Sequence, residues 1–260
     1  MTKYASLACS RTVANPSGAH LRLYFSTPMN RTEFDRFAEE YRSLHQANIA
    51  ASGEAPEYFA EYKIKDLKRL VSIDVPRQVS GDFLDFGAGI GTSVPFFREH
   101  LPAARLTCVD VSLRSLEIGV GRFGEHANFV AFDGVRLPFG DAVFDGALAA
   151  CVFHHISANE HERLFAEMRR VLRPGGHVMI YEHNPLNPLT RQAVNTCPFD
   201  ENAVLVGART LKGRLDSAGF KQSRIRYRVF FPRALRWLRP LEDLIGWLPL
   251  GAQYYVCGRA

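Results

Sequence analysis

The sequence predicts an α/β fold in which a mostly parallel sheet carries helices on both faces. Three observations indicate it. Short apolar runs alternate with helix-like segments from residue 82 onward, a glycine-rich turn follows the first run, and acidic residues follow the next two. Such alternation is typical of a parallel sheet whose crossovers are helices. The 260 residues suffice for one domain of this kind with a short helical annex.

The predicted elements follow one another in regular order. Five strands are expected at 83–86, 106–109, 129–132, 143–151 and 177–181, and helices at about 92–100, 113–120 and 160–172. A helix at 209–217, a strand within 220–231 and a last strand at 253–258 complete a domain that we assign to residues 81–260. The segment 183–206 has three prolines and no clear period, so it is predicted to be an insertion.

Two helices are predicted before the first strand, within residues 29–80. Thr32 can cap the first helix, and Pro56 suits the first turn of the second. Residues 1–28 contain no acid and show no helical period. We expect them to be a flexible, dispensable extension, although a targeting leader has a similar composition. Met29 opens the first well-patterned segment and is a candidate natural start.

Composition places the chain among ordinary globular proteins. Five scattered cysteines without a CxxC pair argue against a disulfide framework or a zinc site, and favour a cytoplasmic protein. No apolar run approaches the ~18 residues of a membrane span. The net charge of +5 does not by itself imply nucleic acid, and no recognisable nucleic-acid module is present.

A glycine-rich turn at residues 87–91 carries the first functional signal. Glycines here let the backbone turn tightly and let a ligand approach the start of the next helix. A dinucleotide fingerprint would place its third glycine at position 92, but that residue is Thr92 and the third glycine is Gly91. The spacing therefore disfavours a nicotinamide oxidoreductase.

Two acidic residues at strand ends carry the second signal. Asp110 ends the second strand about twenty residues after the glycines, where a carboxylate can accept hydrogen bonds from both hydroxyls of a ribose. Asp133-Gly134 follows the third strand, where the acid can accept from an adenine amino group. A strand-end cap for Asp110 and an ordinary Asp-Gly turn at Asp133 are the alternative interpretations.

In combination these motifs resemble the class I S-adenosylmethionine (SAM)-dependent methyltransferases, especially the small-molecule group. The resemblance covers residues 82–180 and rests on the glycine turn, the strand end at Asp110, the Asp133-Gly134 loop and the turn 172–176. It implies a Rossmann-like, seven-stranded sheet with an antiparallel last strand, an N-terminal helical lid over residues 29–80 and SAM as the cofactor. Within that lid, Tyr62 and Lys63 are candidate contacts. The residues expected to bind or line the SAM site are Asp85, Gly87, Ala88, Gly89, Asp110, Val111, Asp133, Gly134 and Cys151.

Three histidines are candidates for a general base. His154 and His155 follow the fourth strand and His183 follows the fifth, at the edge of the sheet where ligands bind in such folds. A histidine pKa lies near neutral, so any of them could take a proton from an acceptor. A packed pocket wall is the alternative. We predict no metal, although His154, His155 and Glu182 could meet near one cation.

The acceptor is the least determined feature. We expect a small-molecule or lipid-linked acceptor, with RNA or protein methylation and non-catalytic SAM binding as alternatives. A basic stretch, 221–239, adjoins apolar residues at near-helical spacing over 237–248. Such a helix can lie weakly on a membrane surface or simply pack on its own domain. The sequence leaves the methylated atom and the oligomeric state open.

Overall fold

The computed structural model describes residues 10–14, 20–24, 49, 52–74 and 80–260. Its strands join one sheet in the order β1-β2-β5-β4-β3-β6-β7-β9-β8. The strands are β1 Ser10–Ala14, β2 His20–Tyr24, β3 Asp82–Phe86, β4 Arg105–Asp110, β5 Asn128–Ala131, β6 Phe144–Ala150, β7 Leu172–His183, β8 Lys221–Arg228 and β9 Gln253–Arg259. The helices are α1 Pro56–Asp74, α2 Val94–His100, α3 Leu113–Phe123, α4 His161–Val171, α5 Pro188–Thr196, α6 Ala208–Ser217 and the single turn α7 Glu242–Ile245.

The seven strands β3 to β9 confirm the predicted sheet. Strands β3 to β7 pair in parallel, and β9 inserts antiparallel between β7 and β8. Side chains of β3 alternate between the two faces: Leu84 and Phe86 join a core with α4 and α6, whereas Phe83 joins a core with α1, α2 and α3. Both faces of the sheet are therefore covered, as its near-continuous apolar strands require.

Two further strands lie at the sheet edge, within the segment predicted to be an extension. Strand β1 pairs antiparallel with β2, and β2 pairs parallel with β5 through Leu21–Phe129 and its neighbours. The sequence did not predict these strands, since a five-residue strand at an edge leaves little periodic signal. Whether residues 1–28 are dispensable stays a prediction. The helix predicted to begin at Thr32 lies outside the described residues.

Strand β7 differs from its prediction at the amino end. The sequence predicts a turn at 174–176 and a strand from His177, but the strand is continuous from Leu172. Gly175 N donates to Ala260 O, and Ala260 N donates to Gly176 O, so the chain terminus pairs with this stretch. The hydrogen-bonding partner of this stretch lies 84 residues or more away in the sequence. Local turn signals therefore could not reveal that the stretch is part of a strand.

The insertion 183–206 contains a helix that the sequence did not predict. Asn187 caps α5, because its side chain accepts from Thr190 N at 3.1 Å, and Pro188 occupies the first turn. A 3₁₀ turn, Pro198–Asp200, follows. Asn-Pro before an apolar residue is a helix-start signal, so this element was readable from local chemistry although its apolar period is weak.

The helix expected over 237–248 is broken in two. A 3₁₀ segment, Arg233–Leu241, precedes the single turn α7. Leu235 has non-helical dihedral angles, and Pro240 lacks the amide that a continuing helix needs. Trp237, Leu241, Leu244 and Trp247 remain exposed, whereas Leu238, Ile245 and Leu248 are half-buried, so the apolar residues do not form one packed helical face.

Helix α1 is tied to the C-terminal third by a buried ion pair. Arg228 donates from Nε and a terminal nitrogen to both Asp66 oxygens, at 2.8 and 2.7 Å, and Tyr181 also donates to Asp66. Tyr62 donates to Glu242. The described part of the predicted lid therefore has a fixed attachment to β8 and to the segment that follows it. No helix in the described ranges is long and apolar enough to cross a membrane.

Candidate active site

One cavity of about 1070 Å³ lies at the carboxyl ends of the parallel strands. We call the part formed by Gly87, Gly89, Asp110, Asp133 and Gly134 the glycine half. The part formed by His154, His155, His183 and Asp200 is the histidine half. All nine residues line the same cavity, because parallel strands present their carboxyl ends at one edge of a sheet.

The turn after β3 requires glycine at its first position. Gly87 has φ +73°, and a Cβ there would lie 2.5 Å from Val152 Cγ2. Gly89, at φ +53°, has no atom within 4 Å of an ideal Cβ, so it opens onto free space. The backbone therefore combines a tight turn with an exposed surface that a ligand can approach.

Asp110 is held at the end of β4 by two backbone amides. Its Oδ2 accepts from Gly89 N and its Oδ1 from Ser112 N, both at 2.8 Å. Each carboxylate oxygen can accept more than one hydrogen bond, so both keep capacity for a ligand. The carboxylate thus has a fixed orientation beside the glycine turn.

Asp133 forms an ordinary Asp-Gly turn, which was the alternative interpretation of this residue, and it also lines the cavity. Its Oδ1 accepts from Val135 N at 2.8 Å and Arg136 N at 3.0 Å, and Gly134 has φ +76°. The turn fixes the carboxylate at the mouth of the glycine half. The two interpretations are therefore compatible in this geometry.

Two buried residues of opposite charge, Asp85 and Lys63, line the cavity beside the glycine turn. Asp85 is buried and accepts from Ser93 Oγ, and burial raises the pKa of its carboxyl to about 6. Lys63, which is also buried, lines the same cavity and opposes that rise in pKa. Of the two lid contacts suggested by the sequence, Lys63 thus reaches the cavity, whereas Tyr62 turns to Glu242.

Cys151 marks the boundary between the two halves. It lines the cavity and has φ +59°, a conformation that non-glycine residues rarely adopt. Its amide donates to Tyr181 O at 2.8 Å, which holds this backbone in place. Ala88 and Val111 line the glycine half as well, so every residue expected at the SAM site faces one cavity.

The histidine half is a cluster of buried ionisable groups. His154 Nδ1 lies 2.6 Å from Glu182 Oε2, and His154 Nε2 lies 3.5 Å from Asp200 Oδ1. His155 Nε2 lies 3.4 Å from the same Asp200 oxygen, and the His154 and His183 rings are 5.2 Å apart. The structure thus brings the three predicted histidines together. Sequence reasoning missed Asp200, which lies in the segment without a clear period.

The surroundings push the ionisation of these groups apart. Burial by itself lowers the pKa of His154, but Glu182 and Asp200 outweigh it and raise this pKa to about 10. Burial and the charge of His154 lower the pKa of His183 to about 4. Burial also lowers the pKa of His155, although Asp200 opposes it. Asp200 itself is buried, yet hydrogen bonds from His154 and His155 hold its pKa well below the usual range.

Known proteins match this chain over the same part of the sheet. Residues 84–180 match a family described as a methyltransferase domain. A demethylmenaquinone methyltransferase of Thermobifida fusca is 34% identical over 114 residues, which cover 42% of this chain and 47% of the relative. The O-methyltransferase cnsE of Penicillium expansum is 29% identical over 60% of this chain and 57% of the relative. The chain thus matches about half the length of these relatives.

A solved structure extends the likeness to most of the chain. A SAM-dependent methyltransferase from Thermotoga maritima superposes with a TM-score of 0.60, covering 87% of this chain and 97% of that one. At 20% identity the match shows a shared fold. Together with the family match, this likeness supports the methyltransferase family, the SAM cofactor and the enzyme class that the sequence predicts. Residues 84–180 of this chain match a methyltransferase domain, within a fold that is shared with SAM-dependent methyltransferases.

Proposed function

We propose that this chain transfers a methyl group from SAM to a small-molecule acceptor that binds in the histidine half. The observation that carries the proposal is the continuity of the cavity. A glycine turn with strand-end carboxylates and a cluster of imidazoles line one enclosed space. Methyl transfer needs little more than donor and acceptor held in line, away from water.

The glycine half fits SAM in shape and in charge. Asp110 offers two fixed carboxylate oxygens to a ribose, and Asp133 offers one acceptor to an adenine amino group. The buried pair Asp85 and Lys63 offers one charge of each sign to the amino and carboxyl groups of a methionine end. When bound, SAM supplies an electrophilic methyl group on sulfur.

The histidine half would hold the acceptor. Of the three histidines that the sequence singles out as general-base candidates, we assign the acceptor's proton to His155 or His183, whose lowered pKa values keep the imidazole neutral at neutral pH. His154, whose pKa is raised to about 10, would position the acceptor instead. The acceptor's lone pair forms the new bond to carbon as the carbon–sulfur bond breaks and its electron pair returns to sulfur. Relatives named for demethylmenaquinone and for O-methylation support a small-molecule acceptor rather than RNA or protein.

An apolar or lipid-linked acceptor is supported by an exposed apolar surface that reaches the cavity at Leu189. Eight of the ten exposed large apolar side chains in the described ranges come from two adjoining segments. This apolar rim consists of Leu186, Leu189, Leu235, Trp237, Leu241, Leu244, Trp247 and Leu250. The segments are joined, since Asn187 Nδ2 donates to Leu250 O at 2.8 Å, and Leu189 also lines the cavity.

The same rim would give weak contact with an anionic membrane surface. Arg233 and Arg236 are exposed beside Trp237, and tryptophan flanked by arginine favours the interface of a bilayer. Each such arginine contributes about 1 kcal/mol near an anionic surface. The scattered cysteines, which include no CxxC pair, fit the reducing cytosol as the side from which it binds.

Calorimetry with SAM, followed by transfer of labelled methyl to a panel of small hydroxylated and quinol acceptors, tests the core proposal. We expect micromolar SAM binding and turnover with at least one apolar member of the panel. Failure to bind SAM would overturn the assignment of the glycine half. SAM binding with methylation of RNA or protein alone would overturn the acceptor class.

Vesicle sedimentation tests the apolar rim. The wild type should sediment with anionic vesicles at low salt and less at high salt, and Trp237→Ser with Trp247→Ser should abolish sedimentation. Val204→Ser is the matched control, since Val204 is equally exposed and lies outside the apolar rim. Equal sedimentation of all three proteins, or none for the wild type, would remove the membrane contact.

A further inference from the structure

We propose that His154, His155 and Asp200 form a binding site for one divalent transition-metal cation at the acceptor end of the cavity. Their ligand atoms all lie within 4.8 Å of one another. The cation site itself needs no SAM, whereas its role toward an acceptor rests on the proposed function. It departs from the sequence expectation of no metal, and it takes its carboxylate from Asp200 rather than from Glu182.

The spacing of the ligand atoms is that of a coordination shell. Asp200 Oδ1 lies 3.5 Å from His154 Nε2 and 3.4 Å from His155 Nε2. Strong N–H···O bonds to a carboxylate are shorter, at about 2.7–2.9 Å. Metal bonds of about 2.0–2.2 Å in tetrahedral geometry place neighbouring ligand atoms about 3.3–3.6 Å apart. Asp200 thus lies at this spacing from both imidazoles, and the two imidazole nitrogens lie within 4.8 Å of each other, so a cation can bind once the two rings adjust.

A second carboxylate orients one of the ligands. Glu182 Oε2 lies 2.6 Å from His154 Nδ1, while its Oε1 accepts from Val152 N and Phe153 N at 3.1 and 2.7 Å. When the neutral His154 ring donates a hydrogen bond from Nδ1–H to Glu182, the lone pair on its Nε2 points toward Asp200. Metal-binding histidines characteristically donate their other ring nitrogen to a carboxylate in this way.

The charge of the cluster favours a cation. Within the described ranges, the ion pairs of Glu182 and Asp200 are made with histidines alone. Both carboxylates are buried, and a buried charge needs a compensating partner. Imidazole must be deprotonated to bind a metal, so the cation displaces the proton that these carboxylates favour on His154.

The donor set indicates the class of ion. Two imidazoles and one carboxylate suit Zn²⁺, Mn²⁺, Fe²⁺ or Co²⁺, whereas Mg²⁺ prefers oxygen ligands alone. His155 and Asp200 line the cavity, so the remaining coordination positions face the acceptor. A cation there would bind and polarise an acceptor oxygen, which favours acceptors with a hydroxyl or carbonyl near the methylated atom.

Titration of the metal-free, untagged full chain with Zn²⁺, Mn²⁺ or Mg²⁺ alone tests the site. Calorimetry should give one Zn²⁺ or Mn²⁺ per chain and weaker binding of Mg²⁺. The same samples are then titrated with SAM. Absence of stoichiometric Zn²⁺ and Mn²⁺ binding in a protein that binds SAM would overturn the metal site and leave the proposed function intact. Loss of SAM binding in a protein that still binds Zn²⁺ or Mn²⁺ would overturn the proposed function and leave the metal site intact.

Three variants locate the ion. His155→Ala and Asp200→Asn should each weaken the cation at least tenfold, since even outer-shell changes cost 10–100-fold, while SAM affinity stays near wild type. The matched control is His100→Ala, which removes a ligand from the surface group Glu61, Glu99 and His100. A cation that is unaffected by the first two variants but lost in the control would place the ion on the surface and refute the proposal.

Discussion

The glycine half and the histidine half share one cavity but are assembled in opposite ways. Each group of the glycine half lies at the end of its own strand, and short contacts fix it: Asp110 bonds to an amide two residues away and to the glycine turn. The histidine half combines the 3₁₀ turn Phe153–His155, the end of β7 and Asp200 from the insertion. Local chemistry therefore builds the first half, and tertiary packing builds the second.

The two halves should also differ in how strongly substitutions elsewhere in the molecule affect them. The glycine half depends on a turn and two strand ends that the parallel sheet holds rigidly. The histidine half depends on long-range contacts, such as those that bring Asp200 of the insertion to His154 and His155. We expect changes far from the chemistry to alter acceptor turnover before they alter SAM binding.

Removing Arg228 should have the largest effect. Arg228→Ala leaves the Asp66 carboxylate buried without its bidentate partner, which typically costs about 3–5 kcal/mol. The free energy of unfolding, measured with urea, should fall by this amount. Arg105→Ala is the matched control, because its ion pair with Asp82 is exposed and worth about 0–1 kcal/mol. Equal losses in both variants would show that α1 is not held by this pair.

Replacing His155 should separate the two halves most clearly. We expect His155→Ala to lower kcat on a true acceptor by about 10²-fold or more, since activation of an acceptor contributes ~10²–10⁴-fold. The Kd for SAM, measured by calorimetry, should stay within about twofold of wild type. His126→Ala, an exposed histidine outside the cavity, should change neither quantity. An unchanged kcat in His155→Ala would mean that positioning alone suffices.

Replacing Asp110 should produce the reverse pattern. Asp110→Ala loses charge-assisted contacts worth more than ~1.4 kcal/mol, so the Kd for SAM should rise at least tenfold while kcat at saturating SAM changes little. Asp216→Ala on α6 removes a carboxylate that is exposed and paired with Lys212, and serves as the control. If Asp110→Ala binds SAM as the wild type does, the ribose assignment is wrong.

The sequence predicted the glycine half more completely than the histidine half, because local chemistry builds the first and tertiary packing builds the second. Gly87 and Asp110 carry signals in their spacing, so the fold and the cofactor could be derived together. Asp200 reaches the cavity only through packing of the insertion, and no periodicity indicates its direction. The break at Pro240 was readable, but apolar spacing suggested one helix because periodicity does not weigh a single missing amide.

Deleting residues 2–28 should have the smallest effect on either half of the cavity. The described lining of the cavity begins at Ile49, and the described residues of this segment, 10–14 and 20–24, are not part of that lining. Its contact with the sheet is the edge pairing of β2 with β5, where Leu21 to Leu23 lie opposite Phe129 to Ala131. The Kd for SAM should therefore stay within about twofold, with a small decrease in melting temperature. A deletion of residues 2–14, which removes β1 and keeps β2, separates the two strands: it should leave the melting temperature at the wild-type value. A tenfold loss of SAM affinity in the longer deletion would show that β5, and through it Asp133, depends on its edge partner.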